Sequence, residues 1–558
     1  MKHIFSLSLS LLLMTAVSAM AGNHRSYAYA YNPEEFDYPM YSMEIGSGWY
    51  IDEDIGEISM LLSLQGIANK ERPQLYFVYP EDWIWKITRT LKNFYENRWG
   101  FDFQELSSPE EALEKLGHHA TGYVVWDKDE RLTLMLAFTR AGLDNVLVVD
   151  EENIPRAEAI GLEMVEDYRG QFNGMTDAEI FEIAMDRYWD RSNRDVAVWQ
   201  GGFFHSRRME PAIADYGIFR GAFQTDLSAN PEDVEEMILH RRILDELNPN
   251  SLIMGWHSYS KDTEGQHVSL LSSYGHIMEG LNSLPNISFN TQIPFTPGFE
   301  FRNNHSVEPD EILIPEDKVY ISLIQTDSMG IGAWELDGRG EIPYAWQPTG
   351  GWSWLSPAAI QYFNESATPN DYFIAGGLSG PGYMYPKPIP EEDFWPLMEM
   401  TRERHELLDL RVMEIMDYSE GNRHVGNQDL PKELVDRYYQ AFPDVIGFIN
   451  GYGAARTFDN RDSIPFISYD YYLGLGRPPE EAVADLEELM RLNQKRPYFL
   501  LIHVRESQSV GHVAGILNAL PDAAEVVPLD IFLKKAGQAD TIQQRFLSED
   551  DPVDFNPY

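Results

Sequence analysis

What most constrains this chain is a change of hydrophobic period that recurs along its length. Short apolar runs are followed repeatedly by stretches whose apolar residues fall three and four apart. QLYFVYP precedes EDWIWKITRTLKNFYE, and GYVVWD and NVLVVD flank RLTLMLAFTRAGL. Strands that are apolar on both faces need cover on both faces, which parallel strands with crossover helices provide. The fold class is therefore α/β. A helix is expected in DIGEISMLLSLQGIANKE, where Ile58, Leu61, Leu62 and Leu64 share a stripe. These elements make an N-terminal α/β domain over 40–150. DAEIFEIAMDRYWDRS, DVAVWQGG, PEDVEEMILHRRILDEL and SLIMGWHS make a middle α/β domain over 151–300. The Pro- and Asn-rich segment Asn282 to Glu311 reads as loop and boundary.

Residues 312–545 carry eight strand candidates: KVYISLIQTD, IPYAWQP, DYFIAGG, LRVMEIMD, VIGFIN, IPFISYD, PYFLLIHVRE and AEVVPLD. Helical patterns separate most of them, including SPAAIQYFNESA, EEDFWPLMEMTRERHELL, LPKELVDRYYQAF, PPEEAVADLEELMRLN and VGHVAGILNAL. Eight such units are the count of a (β/α)8, TIM-like barrel. Ser328 to Glu341 and Gly451 to Ser463 are too short for a full helix, so the expected barrel is irregular. An open doubly wound sheet is the alternative.

The first 21 residues have the form of a cleavable export signal: Lys2 and His3, an apolar run over Leu7 to Val17, then Ala19 and Ala21 in an A-x-A pattern. A polar spacer, 22–39, follows. No later run reaches the roughly 18 apolar residues of a membrane-spanning helix, so membrane insertion is not expected. There is no cysteine, which removes disulfides, thiolate metal ligands and a lipid-anchored N-terminus. A periplasmic or secreted protein is expected. The formal charge is −46, from 89 acidic and 43 basic residues, a field that repels nucleic acid and anionic membranes. No H-x-x-x-H or H-E-x-x-H spacing occurs, and no metal or other cofactor is expected.

In barrels of this kind chemistry sits where the strands end. Asp327, Asp417, Asp470 and Glu506 stand at four of those ends. In PYFLLIHVRE, alternation puts His503 and Arg505 on the face of Phe499 and Leu501, toward the barrel mouth. There they tune an acid or grip an anionic sugar, or Arg505 simply pairs with a carboxylate to hold the barrel top. The third strand ends in SGPGYMYP, where glycines permit close approach and prolines stiffen the run. Tyr383 and Tyr385, two apart, face the same way, either as a platform for a sugar ring or as a packed aromatic corner. Trp346, in PYAWQPTGGWSWL, and Tyr452, in the GYG after VIGFIN, are further sugar-binding candidates.

The run Gly380 to Pro386 resembles the signature of the GxGYxYP putative glycoside hydrolase family. SPAAIQYFNESATPNDYFIAGGLSGPGYMYP, LLSLQGIANKERPQLYF, DYGIFRGAFQTDL and IMGWHSYSKDTEGQHVSLLSSYG are similar to it as well, so the resemblance spans nearly the whole chain after the leader. It implies α/β domains before a TIM-like C-terminal domain, and a carbohydrate partner. In the family the first barrel strand ends in an Asp-Gly-Asp-Asn-like run. Here TDSMG keeps Asp327 but places Met329 and Gly330 where the second acid and the amide fall. Hydrolysis of a glycosidic bond usually takes two carboxyl groups. Asp327 and Glu506 are the expected pair, with Asp417 and Asp470 in reserve and Glu264, in KDTEGQ, an outlying candidate. A polysaccharide lyase or deacylase, or a glycan-binding protein without catalysis, are the alternatives. If the leader is cut as its pattern indicates, N-terminal sequencing of the exported protein begins at Gly22; a start at Met1 would remove the export reading.

Overall fold

The computed structural model describes residues 36–46, 55–80, 87–201, 213–258, 260–280, 285–326, 329, 332–348, 351–375, 377–419, 428–521 and 524–548. Within them the strands pair in parallel, with one antiparallel exception. The first sheet has the order β2-β1-β3, from β1 (Met40–Glu44), β2 (Leu75–Val78) and β3 (Phe103–Leu106). The second is β5-β4-β6, from β4 (Gly122–Val125), β5 (Val146–Val149) and β6 (Met164–Asp167). The third is β10-β9-β7-β8, from β7 (Val196–Gln200), β8 (Phe223–Thr225), β9 (Leu252–Trp256) and β10 (Ile277–Gly280). The N-terminal half therefore has three sheets where two domains were expected. The boundary placed at 150 falls inside the second sheet, because β6 pairs with β4 across it.

These modules share one core. The helix Ile55–Ala68 is buried along almost its whole length, so it lies inside the assembly rather than on one face of it. The backbone N–H of Val148 donates to its Ser63 at 3.0 Å. A side chain on its Gly66 would stand 2.7 Å from the carbonyl of Asp215, in the helix Ala214–Arg220. Asp215 is fully buried, and its Oδ2 accepts from the Ser288 N–H at 2.9 Å.

The eight strands expected after residue 312 are all present: β11 (Val319–Gln325), β12 (Tyr344–Trp346), β13 (Asp371–Phe373), β14 (Val412–Ile415), β15 (Gly447–Asn450), β17 (Ile464–Ser468), β19 (Tyr498–Val504) and β20 (Ala524–Val526). Two short strands join them, β16 (Asp459–Arg461), antiparallel to β17, and β18 (Tyr471–Leu473). They divide into two sheets: β13-β12-β11-β19-β18, with β20 also on β11, and β14-β15-β17-β16. At one seam between them, the Ala375 N–H reaches the Val412 carbonyl and the Ser379 N–H that of Glu414, both at 3.0 Å. At the other, β17 runs almost directly into β18, so one stretch of chain pairs with β15 and then with β19. Tyr320, Ile324, Val412, Ile449, Ile467, Phe499 and Leu501 form an apolar cluster drawing on both sheets. Residues of the opposite parity, among them Ile321, Leu323, Leu500 and Ile502, pack into a second cluster with helical residues such as Leu486 and Val513. Among the described residues no helix is long and apolar enough to cross a membrane.

Burial raises the carboxyl of Asp215 to about 6. The folded state then binds this proton more tightly than the unfolded chain does. The associated stability is fully present below the usual aspartate range, near 4, and is lost as pH rises through 6. The melting temperature of the wild type is expected to fall relative to Asp215→Asn between pH 4 and pH 7. Parallel melting curves at the two ends of that range would refute the assignment.

Candidate active site at the meeting of two domains

The signature loop leaves β13 and crosses to the third sheet. Tyr383 and Met278 of β10 exchange both backbone bonds, at 2.8 and 2.9 Å. A Cβ on Gly382 would lie 2.9 Å from the Met278 carbonyl, and one on Gly377 2.6 Å from that of Gly380. Glycine at 382 is what lets two backbones approach this closely. Ser379, at φ +74°, is held on all sides: its Oγ bonds Met416 in both directions, and its carbonyl accepts from Tyr438.

The tyrosines are not an open platform. Their rings stand edge to face at 88°, and Tyr385 is fully buried. Tyr383 is half-buried, with one face stacked on Trp256 of β9. Both hydroxyls converge on Oε1 of Glu264, the first residue of the helix Glu264–Ser272. Tyr383 donates a short bond and Tyr385 lies at 3.5 Å. Burial, then the Glu264 charge, pushes both phenols well above their usual range, so they remain donors. The loop thus joins the third module to the C-terminal domain and delivers two phenols to one carboxylate.

A second cluster forms where β11 and β19 end. Their parallel register runs to Gln325 beside Val504. The Gln325 side chain donates to the carbonyls of Arg505 at 2.8 Å and Gln508 at 3.0 Å, and Thr326 Oγ1 meets His503 Nε2 at 3.0 Å. Arg505 holds Glu506 Oε2 at 2.5 Å and donates to the hydroxyls of Tyr452 at 3.3 Å and Tyr472 at 3.2 Å. The Tyr452 hydroxyl also reaches Glu506 Oε2, at 3.4 Å. Burial raises the Glu506 carboxyl above the usual range, against the pull of Arg505. A half-buried carboxyl raised in this direction is better suited to proton donation than an exposed one. Tyr452 and Tyr383 each pack against one large apolar cluster that also contains Tyr385 and Met416.

Several expected site residues are placed otherwise. Trp346 is fully buried, and its indole N–H donates to Asp371 at 2.8 Å in a core shared with Trp334, so it cannot stack a sugar. His503 is fully buried, and burial lowers it to about 3, so it is neutral and grips no anion. Arg505 is committed to Glu506 and two tyrosines. Asp417 is buried, with one oxygen on the Lys387 N–H at 2.8 Å and the other on Ser419, so it anchors the end of the signature loop. Asp470 turns to the backbone of β19, where Leu501 N–H donates to it at 3.3 Å, beside Tyr498. Burial raises it to about 7. Asp327 lies outside the described residues. Met329, where the family pattern would place an acid, is a fully buried core residue. One buried acid was missed: Glu414 of β14, which accepts a short bond from Tyr469, itself packed on His503. An acidic residue alternating with Val412 and Met416 in LRVMEIMD was the available signal.

Matching families point the same way. Models for the GxGYxYP_N first domain, the GxGYxYP_N second domain, the GxGYxYP third domain and the GxGYxYP putative glycoside hydrolase C-terminal domain match residues 43–117, 120–192, 194–292 and 317–536. The chain therefore belongs to the GxGYxYP family. The crystal structure of a putative hydrolase from Bacteroides thetaiotaomicron VPI-5482, determined at 1.25 Å, superposes with a TM-score of 0.72 at 19% identity, covering 90% of this chain and 94% of that one. That similarity is one of fold. Among curated proteins none matches the chain.

If Gly382 is required for the approach to Met278, Gly382→Ala should cost about 1–3 kcal/mol. The check is a lowered melting temperature with faster proteolysis between the third module and the C-terminal domain. Gly515→Ala, where a Cβ meets nothing within 4 Å, serves as control. Equal behaviour of the two variants would remove the claim.

Proposed function

We propose that the protein is a secreted glycoside hydrolase acting on an oligo- or polysaccharide, with Asp327 and Glu506 as its pair of carboxylates. The observation that carries this is the register of β11 and β19, which ends at Gln325 and Val504, two residues before each acid in the sequence. Glu506, raised by burial, gives its proton to the leaving oxygen as the glycosidic bond breaks. Asp327, ionised, serves as base toward water or as nucleophile. The irregular (β/α)8 barrel belongs to this reading. It is supported by the seam bonds at Ala375 and Ser379 and by the passage of β17 into β18, both of which draw the two C-terminal sheets toward closure. The engagement of Arg505 by Glu506, Tyr452 and Tyr472 speaks against a uronate clamp of the kind a lyase would need.

The test is a panel of glycosides and polysaccharides offered to the mature protein, with reducing ends and unsaturated uronates both measured. New reducing ends without unsaturation are expected, with kcat reduced about a hundredfold or more in Glu506→Gln and Asp327→Asn. Unchanged rates in both variants would withdraw the pair, and unsaturated products would replace hydrolysis by elimination.

A further inference from the structure

Glu264 is held in an unusual way for a residue outside the C-terminal domain. Its Oε1 takes the hydroxyls of Tyr383 and Tyr385, while no bond engages Oε2 among the described residues, and the residue is half exposed. No basic side chain pairs with it there. The described residues that lead into it are tied to neighbouring segments. Asp262 accepts the Ala229 N–H at 2.7 Å and the Ser258 N–H at 2.9 Å. Lys261 is pinned by Asp177 at 2.5 Å, Glu236 at 2.9 Å and Asp226 at 3.2 Å. Thr263 and Gln266 close a capping box around the first turn of the helix. Two half-buried aromatic rings go with it: Tyr383, which donates to Oε1, and Trp256, stacked on Tyr383 at 14°.

We propose that Glu264, Trp256 and Tyr383 form a sugar-binding subsite, contributed largely by the third module, for a neutral, hydroxyl-rich ring of an oligosaccharide. The free carboxylate oxygen accepts hydrogen bonds from sugar hydroxyls, and an aromatic face covers the ring's C–H surface. An anionic sugar is refused by the same charge. This rests on the glycan-directed reading above, and it adds a length dependence. The subsite is built from residues other than the Glu506 cluster, so a glycan held at both must extend beyond one unit. The signature tyrosines then act mainly by holding Glu264 in place.

The experiment measures binding by calorimetry in the full-length Glu506→Gln protein. The probes are neutral gluco-, xylo- and manno-oligosaccharides, their monosaccharides, and oligogalacturonate as the anionic counterpart. A neutral oligosaccharide is expected to bind, its monosaccharide and oligogalacturonate far more weakly. Adding Glu264→Ala or Trp256→Ala should weaken the oligosaccharide by about tenfold or more. Glu264→Gln keeps an acceptor for Tyr383, so it should hold its melting temperature and still lose affinity. Affinity unchanged in both Glu264→Gln and Trp256→Ala overturns the subsite and leaves Glu264 as a latch between domains. Preference for oligogalacturonate, or no binding by any probe, overturns it as well. Binding that depends on Glu264 in a protein that hydrolyses nothing keeps the subsite and removes the hydrolase.

Discussion

Two backbone hydrogen bonds between Met278 and Tyr383 are the join on which the architecture of the site depends. They turn a loop at the end of β13 into an extra edge for β10. Everything later in the loop follows from that contact: the pointing of Tyr383 and Tyr385 toward Glu264, and the anchoring of Lys387 on Asp417. The join needs a glycine at 382, since any Cβ there meets a carbonyl that is itself committed to the bridge. The stiff composition of the run thus fixes the relation between two domains, and the aromatic groups are carried along with it.

The electrostatics of the region follow from how the few cations are used. In a chain of net charge −46 the positive groups around the candidate site are already paired: Arg505 with Glu506, Lys387 with Asp417, and Lys261 with three carboxylates. Glu506 is thereby held by a guanidinium beside phenols, and among the described residues Glu264 takes its side-chain bonds from phenols.

Long, strongly periodic elements were legible in the sequence. The helix at Ile55–Ala68 and, in the C-terminal region, the five helices and eight strands named from the sequence lie where the hydrophobic period changes, while the helices Trp352–Leu355 and Leu529–Ala536 were not foreseen. What was not legible had little period to read. β3 (FQEL) and β6 (MVED) are short and half polar, and β1 (MYSME) resembles loop, yet β1 is the central strand of its sheet. Missing β6 moved a domain boundary into the middle of a sheet. At the site, His503 and Arg505 both meet Tyr452 and Tyr472, but composition could not tell a buried Trp346 from an exposed one. The role of the tyrosines was hidden for a different reason. Their partner Glu264 is over a hundred residues earlier, and only the backbone bridge at Met278 brings the two segments together.

The position of the helix Ile55–Ala68 bears on how the chain is made. Its apolar residues are covered by strands and by the helix Ala214–Arg220, none of which exists when it leaves the ribosome. Its cover arrives in stages along the chain, from β2 and then β5, and is complete only once the helix Ala214–Arg220 has been made. The last stretch of its cover therefore depends on a segment about 150 residues further along the chain, so truncating the chain before Ala214 uncovers apolar surface in the first two modules as well.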